Sequence, residues 1–267
     1  MGAGLCRRIA WVSGLRGVEA AGKVRIGAVR LDPRTGRVEA YRGQERFPLL
    51  STFKVFAAAA VLHEARVRRP GLMDRVVTWT DRDLQAVSPV TKGRTGPGKG
   101  LTVAQLCAAA IQYSDNTAGN LLLRQIGGPK GLTSYLRSLG DQVSRLDRWE
   151  PTLNDWSPGD PRDTTTPAAA AADLSKITVG DALVPPDRSR LVGWLRSSTT
   201  GTQRIRAGLP GWTVGDKTGT GHDAANDLAV AWQPGKGDPI VLAIYTTREK
   251  AAVSDKVLAD TATALST

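Results

Sequence analysis

Segments with strand character stand at both ends of this chain, and a long helical stretch separates them. No other feature of the 267 residues limits the possible folds as much. Residues 24–31 and 38–42 read as two strands joined by the turn Asp32-Pro33-Arg34-Thr35-Gly36, with Pro and Gly where a turn uses them. Residues 212–216, 227–232 and 240–246, rich in apolar or β-branched side chains, read as three more. Between the two groups the patterns are helical. An alanine-rich run over 54–69 ends just before Pro70-Gly71. Thr102 and Gln105 form a capping box ahead of the apolar run 106–111. Helices over 117–126 and 132–139 are stopped by Gly127-Gly128-Pro129 and by Gly140. Pro167 after Thr166 opens another that closes at Gly180, and 187–196 completes the block. A C-terminal helix is expected from about Ala251.

The two strand groups must meet in one sheet, which predicts an α+β protein: an α/β/α sandwich with an antiparallel sheet and an inserted all-helical part. Residues 1–50 and 197–267 are assigned to a discontinuous α/β domain and 51–196 to the helical domain. The active site is expected in the cleft between them. No internal repeat and no low-complexity segment is present.

A formal charge of +11, from 36 basic and 25 acidic residues, raises the question of nucleic-acid binding. The basic residues are scattered, without a long run or interleaved aromatics, so a solvated basic surface is the better reading and no nucleic-acid partner is expected. Such a field favours approach of an anionic small substrate. Cys6 and Cys107 form no redox or ligand motif, and Cys107 falls in an apolar run, as a buried inert thiol would. With only His63 and His222, a zinc hydrolase site is hard to assemble, so no metal or other cofactor is expected. The longest strictly apolar run, 55–62, is too short to span a bilayer. The first eight residues carry a basic pair, but Arg16 interrupts the apolar stretch that a signal peptide needs next, so the start reads as a helix instead.

Four short strings carry chemistry. Ser51-Thr52-Phe53-Lys54 places a hydroxyl at a helix N-terminus and an amine three residues on, on the same helix face. An amine whose surroundings disfavour the ammonium form can take the serine proton and make Ser51 a nucleophile. A cap serine beside a surface lysine is the plainer reading of the string alone. Ser114-Asp115-Asn116 stands between two helices; Ser114 could relay a proton to a leaving nitrogen and Asn116 could hold a substrate amide. The same residue types also serve as a helix cap. Residues 148–163 form a long stretch with few regular signals, three prolines and two tryptophans, and such loops tend to be functional. Glu150 and Asn154 could together hold a water for attack on an ester, Arg148 and Asp163 could pair to close the loop, and Pro151 favours a cis bond. Lys217-Thr218-Gly219-Thr220-Gly221, at the end of the 212–216 strand, can bind a carboxylate and leave a backbone N–H for an oxyanion.

In this order, over about residues 28–258, the chain resembles the class A serine β-lactamases, whose signature combines Ser-x-x-Lys, Ser-Asp-Asn and Lys-Thr-Gly. The similarity extends to Glu45-Arg46-Phe47-Pro48, Asn116-Thr117-Ala118, Arg148-Trp149-Glu150-Pro151 and Asp163-Thr164-Thr165. The resemblance implies that Ser51 attacks the lactam carbonyl, with the backbone N–H groups of Ser51 and Thr220 as oxyanion hole. It implies that Ser114 passes a proton to the lactam nitrogen. Lys217, Thr218, Gly219 and Thr220 would receive the substrate carboxylate, and Asn116 its side-chain amide. Glu150 and Asn154 would hold the deacylating water, with the acylation base either Lys54 or Glu150.

Several positions depart from common family patterns. Asn226-Asp227 stands where many members have an arginine, and Arg204 in Gln203-Arg204-Ile205-Arg206 fits the alternative source of that cation. Leu50 and Gly221 occupy the places of a cysteine pair associated with carbapenem hydrolysis. Cys107 matches a cysteine that is often bridged, but its partner place is Ala58. Val87 takes a rim position that is often aromatic.

The resemblance implies a monomeric, periplasmic or secreted β-lactamase acting on penicillins and cephalosporins, with no membrane partner. A penicillin-binding D,D-peptidase shares the serine, lysine and Lys-Thr-Gly parts, and a β-lactam sensor domain acylates without turnover. Glu150 with Asn154 is the feature that separates hydrolysis from both.

Overall fold

The computed structural model describes residues 2–248, 250 and 252–266, with side chains from residue 11 onward. Five strands form one antiparallel sheet: β1 (Val24–Asp32), β2 (Arg37–Tyr41), β3 (Thr213–Thr220), β4 (Ala224–Trp232) and β5 (Ile240–Arg248). Their order is β2-β1-β5-β4-β3, so the N-terminal strand pairs directly with the last one, Ala28 opposite Ile244. The β1–β2 turn is held by Asp32 Oδ1, which accepts the N–H groups of Arg34 at 2.9 Å and Thr35 at 3.2 Å, and by Gly36 at φ +70°.

The described residues hold nine α-helices: α1 (Gly2–Gly22), α2 (Phe53–Val67), α3 (Val103–Gln112), α4 (Asn116–Gln125), α5 (Gly128–Ser138), α6 (Pro167–Thr178), α7 (Pro185–Arg196), α8 (Ile205–Gly208) and α9 (Asp255–Ser266). Successive strand residues face opposite sides, so the sheet needs cover on both. On one side α1 and α9 bury Trp11, Leu15 and Leu258 against Ile26, Leu242 and Ile244. On the other, α6 covers Leu228, Val230, Val241 and Tyr245, and this core continues without a break into the helices around α2. Every residue of α2 from Phe53 to Leu62 is buried, as befits a helix that is apolar on all sides and runs through the middle of a core.

The mixed α+β architecture with its antiparallel sheet is the one expected, with adjustments at element ends. β3 runs on to Thr220, so Lys217, Thr218 and Gly219 lie inside a strand rather than after it. The polar residues there hide the strand from a propensity reading, whereas pairing with β4 (Thr218 opposite Asp227) imposes it. Gly127, at φ +86°, ends α4, but Gly128-Pro129 already open α5, where proline fits the first turn. The Thr102–Gln105 capping box is present, and Thr166 caps α6 as read. The C-terminal helix starts at Asp255; Ala251 and the Cys6 side chain lie outside the described residues. The four-residue α8 and the two-residue ladders Phe47–Pro48 with Thr164–Thr165 and Val76–Val77 with Leu101–Thr102 have no sequence signal of their own.

Candidate active site

Ser51 lies in the 3-10 turn Leu50–Thr52 that feeds α2. Its backbone is pinned on two sides: Leu49 N donates to Asp163 O at 2.8 Å, and Asn226 Nδ2 donates to Pro48 O at 2.8 Å. Leu50 adopts φ +49°, a left-handed conformation that a non-glycine residue holds only when its surroundings enforce it. One turn on, the Lys54 side chain is fully buried. Its Nζ donates to Ser51 Oγ at 2.8 Å, Ser114 O at 2.8 Å and Asn116 Oδ1 at 2.6 Å, and it lies 3.2 Å from Glu150 Oε1. Burial pushes this amine below the ordinary lysine range, and the Glu150 carboxylate opposes that push.

Ser114, at φ +55°, projects between two amines: Lys217 Nζ donates to its Oγ at 2.9 Å and Lys54 Nζ lies at 3.5 Å. Asp115 caps α4 through Ala118 N at 2.8 Å. It also accepts the N–H groups of Val90 and Thr91, both at 2.9 Å. That clamp holds the segment carrying Val87, whose carbonyl accepts Asn116 N at 2.8 Å and whose side chain is 55% exposed. With Asn116 Oδ1 committed to Lys54, its Nδ2 remains the donor that can face a ligand.

Lys217 is fully buried. Desolvation, then the nearby Lys54 charge, hold it well below the ordinary lysine range. Its Nζ also donates to Thr218 O at 2.8 Å, and Thr218 Oγ1 meets Thr200 Oγ1 at 2.7 Å. β3 is the sheet's edge strand, so its outer backbone groups have no ladder partner and face the Ser51 turn. Gly219 permits this approach: a Cβ there would sit 3.0 Å from Leu50 Cβ and 3.2 Å from Leu49 O.

Arg204, the cation expected from the sequence, is held behind Thr220. It is 6% exposed and donates to Asp255 Oδ1 at 2.7 Å, Gly219 O at 2.9 Å, Asn226 O at 2.8 Å and Thr220 Oγ1 at 2.7 Å. Thr220, which accepts one of these hydrogen bonds, is exposed beyond it.

The 148–163 loop is closed at its neck. Asp163, buried and at φ +56°, accepts the N–H groups of Asp147 at 2.8 Å and Arg148 at 2.9 Å, and Arg148 Nε at 2.5 Å. The Glu150–Pro151 peptide is cis. Asn120 of α4 grips the Glu150 backbone in both directions, accepting its N–H at 3.0 Å and donating to its carbonyl at 2.9 Å. Glu150 Oε1 thus comes within 3.4 Å of Ser51 Oγ, while Oε2 accepts Asn154 Nδ2 at 2.7 Å.

The structure brings Ser51, Lys54, Ser114, Asn116, Glu150 and Lys217 into one connected network, with Asn154 and Thr218 directly behind it. It leaves Val87 exposed beside Asn116 and Arg204 behind Thr220. The sequence reading missed Asn120, a polar residue inside an apolar helix, which is the only local sign of its role. It also missed the support behind Lys217: Asp216 is buried and paired with the partly exposed Arg206, and Asp227 accepts Ile205 N at 3.0 Å. Burial and then Asp216 push the Asp227 carboxyl well above the usual range. Among the described residues, no three His, Cys, Asp or Glu side chains are placed to hold a metal ion. No helix there is long and apolar enough to cross a membrane.

A buried lysine on a serine, a second serine between two amines, and a carboxylate–amide pair facing them form an acyl-transfer centre with its own hydrolytic arm. Residues 12–267 match the model of the β-lactamase enzyme family. The β-lactamase FAR-1 of Nocardia farcinica is 52% identical over 242 residues, covering 90% of this chain and 76% of the relative. A β-lactamase crystal structure from Streptosporangium roseum superimposes with a TM-score of 0.93 at 57% identity, covering 96% of this chain and 97% of the other. A reconstructed class A β-lactamase, the last common ancestor of Gram-negative bacteria (GNCA4), gives a TM-score of 0.92 at 50% identity, covering 96% and 98%.

Proposed function

The chain belongs to the class A β-lactamases, serine enzymes that hydrolyse β-lactams, and on that premise we propose how its own residues divide the work. The substrate lies in the cleft between the helical part, 51–196, and the sheet part, 1–50 with 197–267. Ser51 Oγ attacks the lactam carbonyl carbon while its proton leaves toward Lys54 or, through a water, toward Glu150. The backbone N–H groups of Ser51 and Thr220 stabilise the oxyanion. The lactam C–N bond then breaks, and Ser114 hands a proton to the nitrogen and regains one from the lysine beside it.

Lys217 and Thr218, with Gly219 giving the strand room, and Thr220 backed by Arg204, receive the substrate carboxylate. Asn116 Nδ2 holds the side-chain amide, and Val87 leaves the cleft mouth open for penicillins and cephalosporins. In the second half, Glu150, steadied by Asn154, takes a proton from a water that attacks the ester; the C–O bond to Ser51 breaks and that proton is returned to Ser51 Oγ, which restores both the serine and the carboxylate. Arg148 and Asp163 keep the loop closed so that this carboxylate stays in place.

One observation carries the reading: Glu150 Oε1 stands 3.4 Å from Ser51 Oγ while Asn154 holds its other oxygen. A carboxylate so placed supports turnover over the stalled acyl-enzyme of a penicillin-binding peptidase. Glu150→Gln is expected to acylate and then accumulate the adduct on Ser51, seen as a mass increase of the intact protein. Turnover near wild type would refute the role of Glu150. We further propose that the enzyme is a monomer, tested by light scattering, and is periplasmic or secreted, tested by cell fractionation.

A further inference from the structure

Outside the cleft, α6 carries a buried carboxyl group that has no donor among the described residues. Asp173 is 1% exposed, and among the described residues neither of its oxygens has a hydrogen-bond donor. Its neighbour is another carboxyl, that of Asp141, within hydrogen-bonding reach. Asp141 is also buried, and its Oδ1 accepts the N–H groups of Val143 at 2.6 Å and Ser144 at 3.0 Å. Acceptance of two backbone N–H groups favours the ionised form of Asp141. Two ionised carboxylates in contact in a dry site repel, whereas an acid facing a carboxylate makes one strong O–H···O bond. A proton on Asp173 therefore satisfies both groups.

Among the described residues no cation pairs with Asp173, although the Lys176 and Arg137 charges lie near enough to favour its ionised form weakly. Arg137 of α5 donates to the carbonyls of Asp141 at 2.6 Å and Ser144 at 2.8 Å, and Lys176 of α6 donates to the carbonyl of Leu139. The Tyr135 hydroxyl of α5 is buried, with His63 of α2 against its ring, and on the sheet side Tyr245 meets Thr52 Oγ1 at 3.2 Å. Burial, then the Asp141 charge, push the Asp173 carboxyl up to about 8.

The turn that Asp141 organises braces the neck of the Glu150 loop. Ser144 Oγ meets Thr165 Oγ1 at 2.6 Å, Arg145 N donates to Thr164 O at 3.0 Å, and Thr165 pairs with Phe47 next to the nucleophile turn. We propose that Asp173 is a positioning residue for deacylation: it shares a proton with Asp141, and that proton holds the turn on which the loop neck rests. This inference rests on the role proposed for Glu150. When the proton is released to solvent, the two carboxylates separate, the brace loosens and Glu150 loses its place.

The sign follows from a folded-state value raised above that of the unfolded chain. The stabilisation is whole below the ordinary carboxylate range and is lost as pH rises through about 8. The test uses the full chain as wild type, as Asp173→Asn, whose amide donates to Asp141 at every pH, and as Asp141→Asn, which removes the repelling charge. Melting temperature is followed from pH 6 to 9.5, together with the decay of the acyl-enzyme by intact mass and its rate of formation.

For a group titrating near 8, the protonated fraction falls about tenfold between pH 7 and pH 9. Wild-type deacylation is expected to decline severalfold over that interval relative to Asp173→Asn, and by more than acylation does. The wild-type melting temperature should fall relative to the variant over the same range. Parallel profiles in wild type and Asp173→Asn would overturn the proposal. If that variant does not fold, an alkaline decline unchanged in Asp141→Asn overturns it instead. Failure of the Glu150 reading looks different: Glu150→Gln would deacylate normally while the melting profiles of wild type and Asp173→Asn still diverge.

Discussion

Replacing Asp163 by asparagine isolates the charge that closes the catalytic loop. Asparagine has the same shape, and it tolerates the φ of +56° found there, so backbone strain is not introduced. Oδ1, which accepts the N–H groups of Asp147 and Arg148, is retained as a carbonyl oxygen. Oδ2, 2.5 Å from Arg148 Nε, becomes an NH2 that faces a donor. Breaking a buried pair by removing one partner costs about 3–5 kcal/mol. The Arg148 side chain is 19% exposed and its Nη1 keeps the Asp155 carbonyl, so partial rehydration brings the expected cost to about 2–3 kcal/mol. At about 2–4 °C per kcal/mol for a chain of this size, the melting temperature should drop roughly 5–10 °C.

The local effect is sharper, because the cost falls on the neck that aims Glu150. Loss of about 1.4 kcal/mol of positioning there slows deacylation about tenfold. Stopped-flow turnover of a chromogenic cephalosporin reads this directly: a burst of acylation at the wild-type rate, followed by a slower steady state. A melting temperature and a steady-state rate both indistinguishable from wild type would refute the reasoning. They would mean that contacts such as Arg145 N to Thr164 O close the neck unaided.

Removing the carboxylate that opposes the effect of burial on Lys54 should lower its pKa further. In Glu150→Gln the acid limb of the acylation rate is therefore expected at lower pH than in wild type, measured by single-turnover kinetics across pH. Arg204→Ala withdraws the guanidinium behind Thr220 and should raise KM for carboxylate-bearing substrates about tenfold, the scale of one hydrogen bond to a charged group. An unchanged KM would assign carboxylate binding to Lys217 alone. Thr102→Ala removes the α3 cap and should cost about 1 kcal/mol of stability in a denaturant melt while kcat/KM stays at the wild-type value.

Much of this enzyme is legible along the chain because its chemistry is carried by neighbours in sequence. Ser51 and Lys54 share a helix face by spacing alone, and Ser114-Asp115-Asn116 sits at a break between helices that its own cap-forming residues and the end of the 106–111 apolar run already mark. The antiparallel sheet with a helical insertion follows from strand-like segments at both ends. Local pattern was weakest where polar residues occupy regular structure: 217–220 lacks the apolar alternation of a strand, and only pairing with β4 makes it one.

Contacts between residues far apart along the chain are another matter, since no local pattern encodes what a folded neighbour donates or denies. Lys54 and Glu150 are separated by 96 positions, yet they share one dry site, and that burial sets the state of the amine. Residue order offers Arg204 as a cation, but its partners, the carbonyls of Gly219 and Asn226 and the Asp255 carboxylate, are brought to it only by the fold. Nothing along the chain marks Asp173, one polar residue in an alanine-rich helix; only its burial beside Asp141, with no donor to its oxygens among the described residues, singles it out. Residue order supplies the reactive groups and their backbone settings. Desolvation and partner geometry, which exist only once the chain has folded, decide what each group can do.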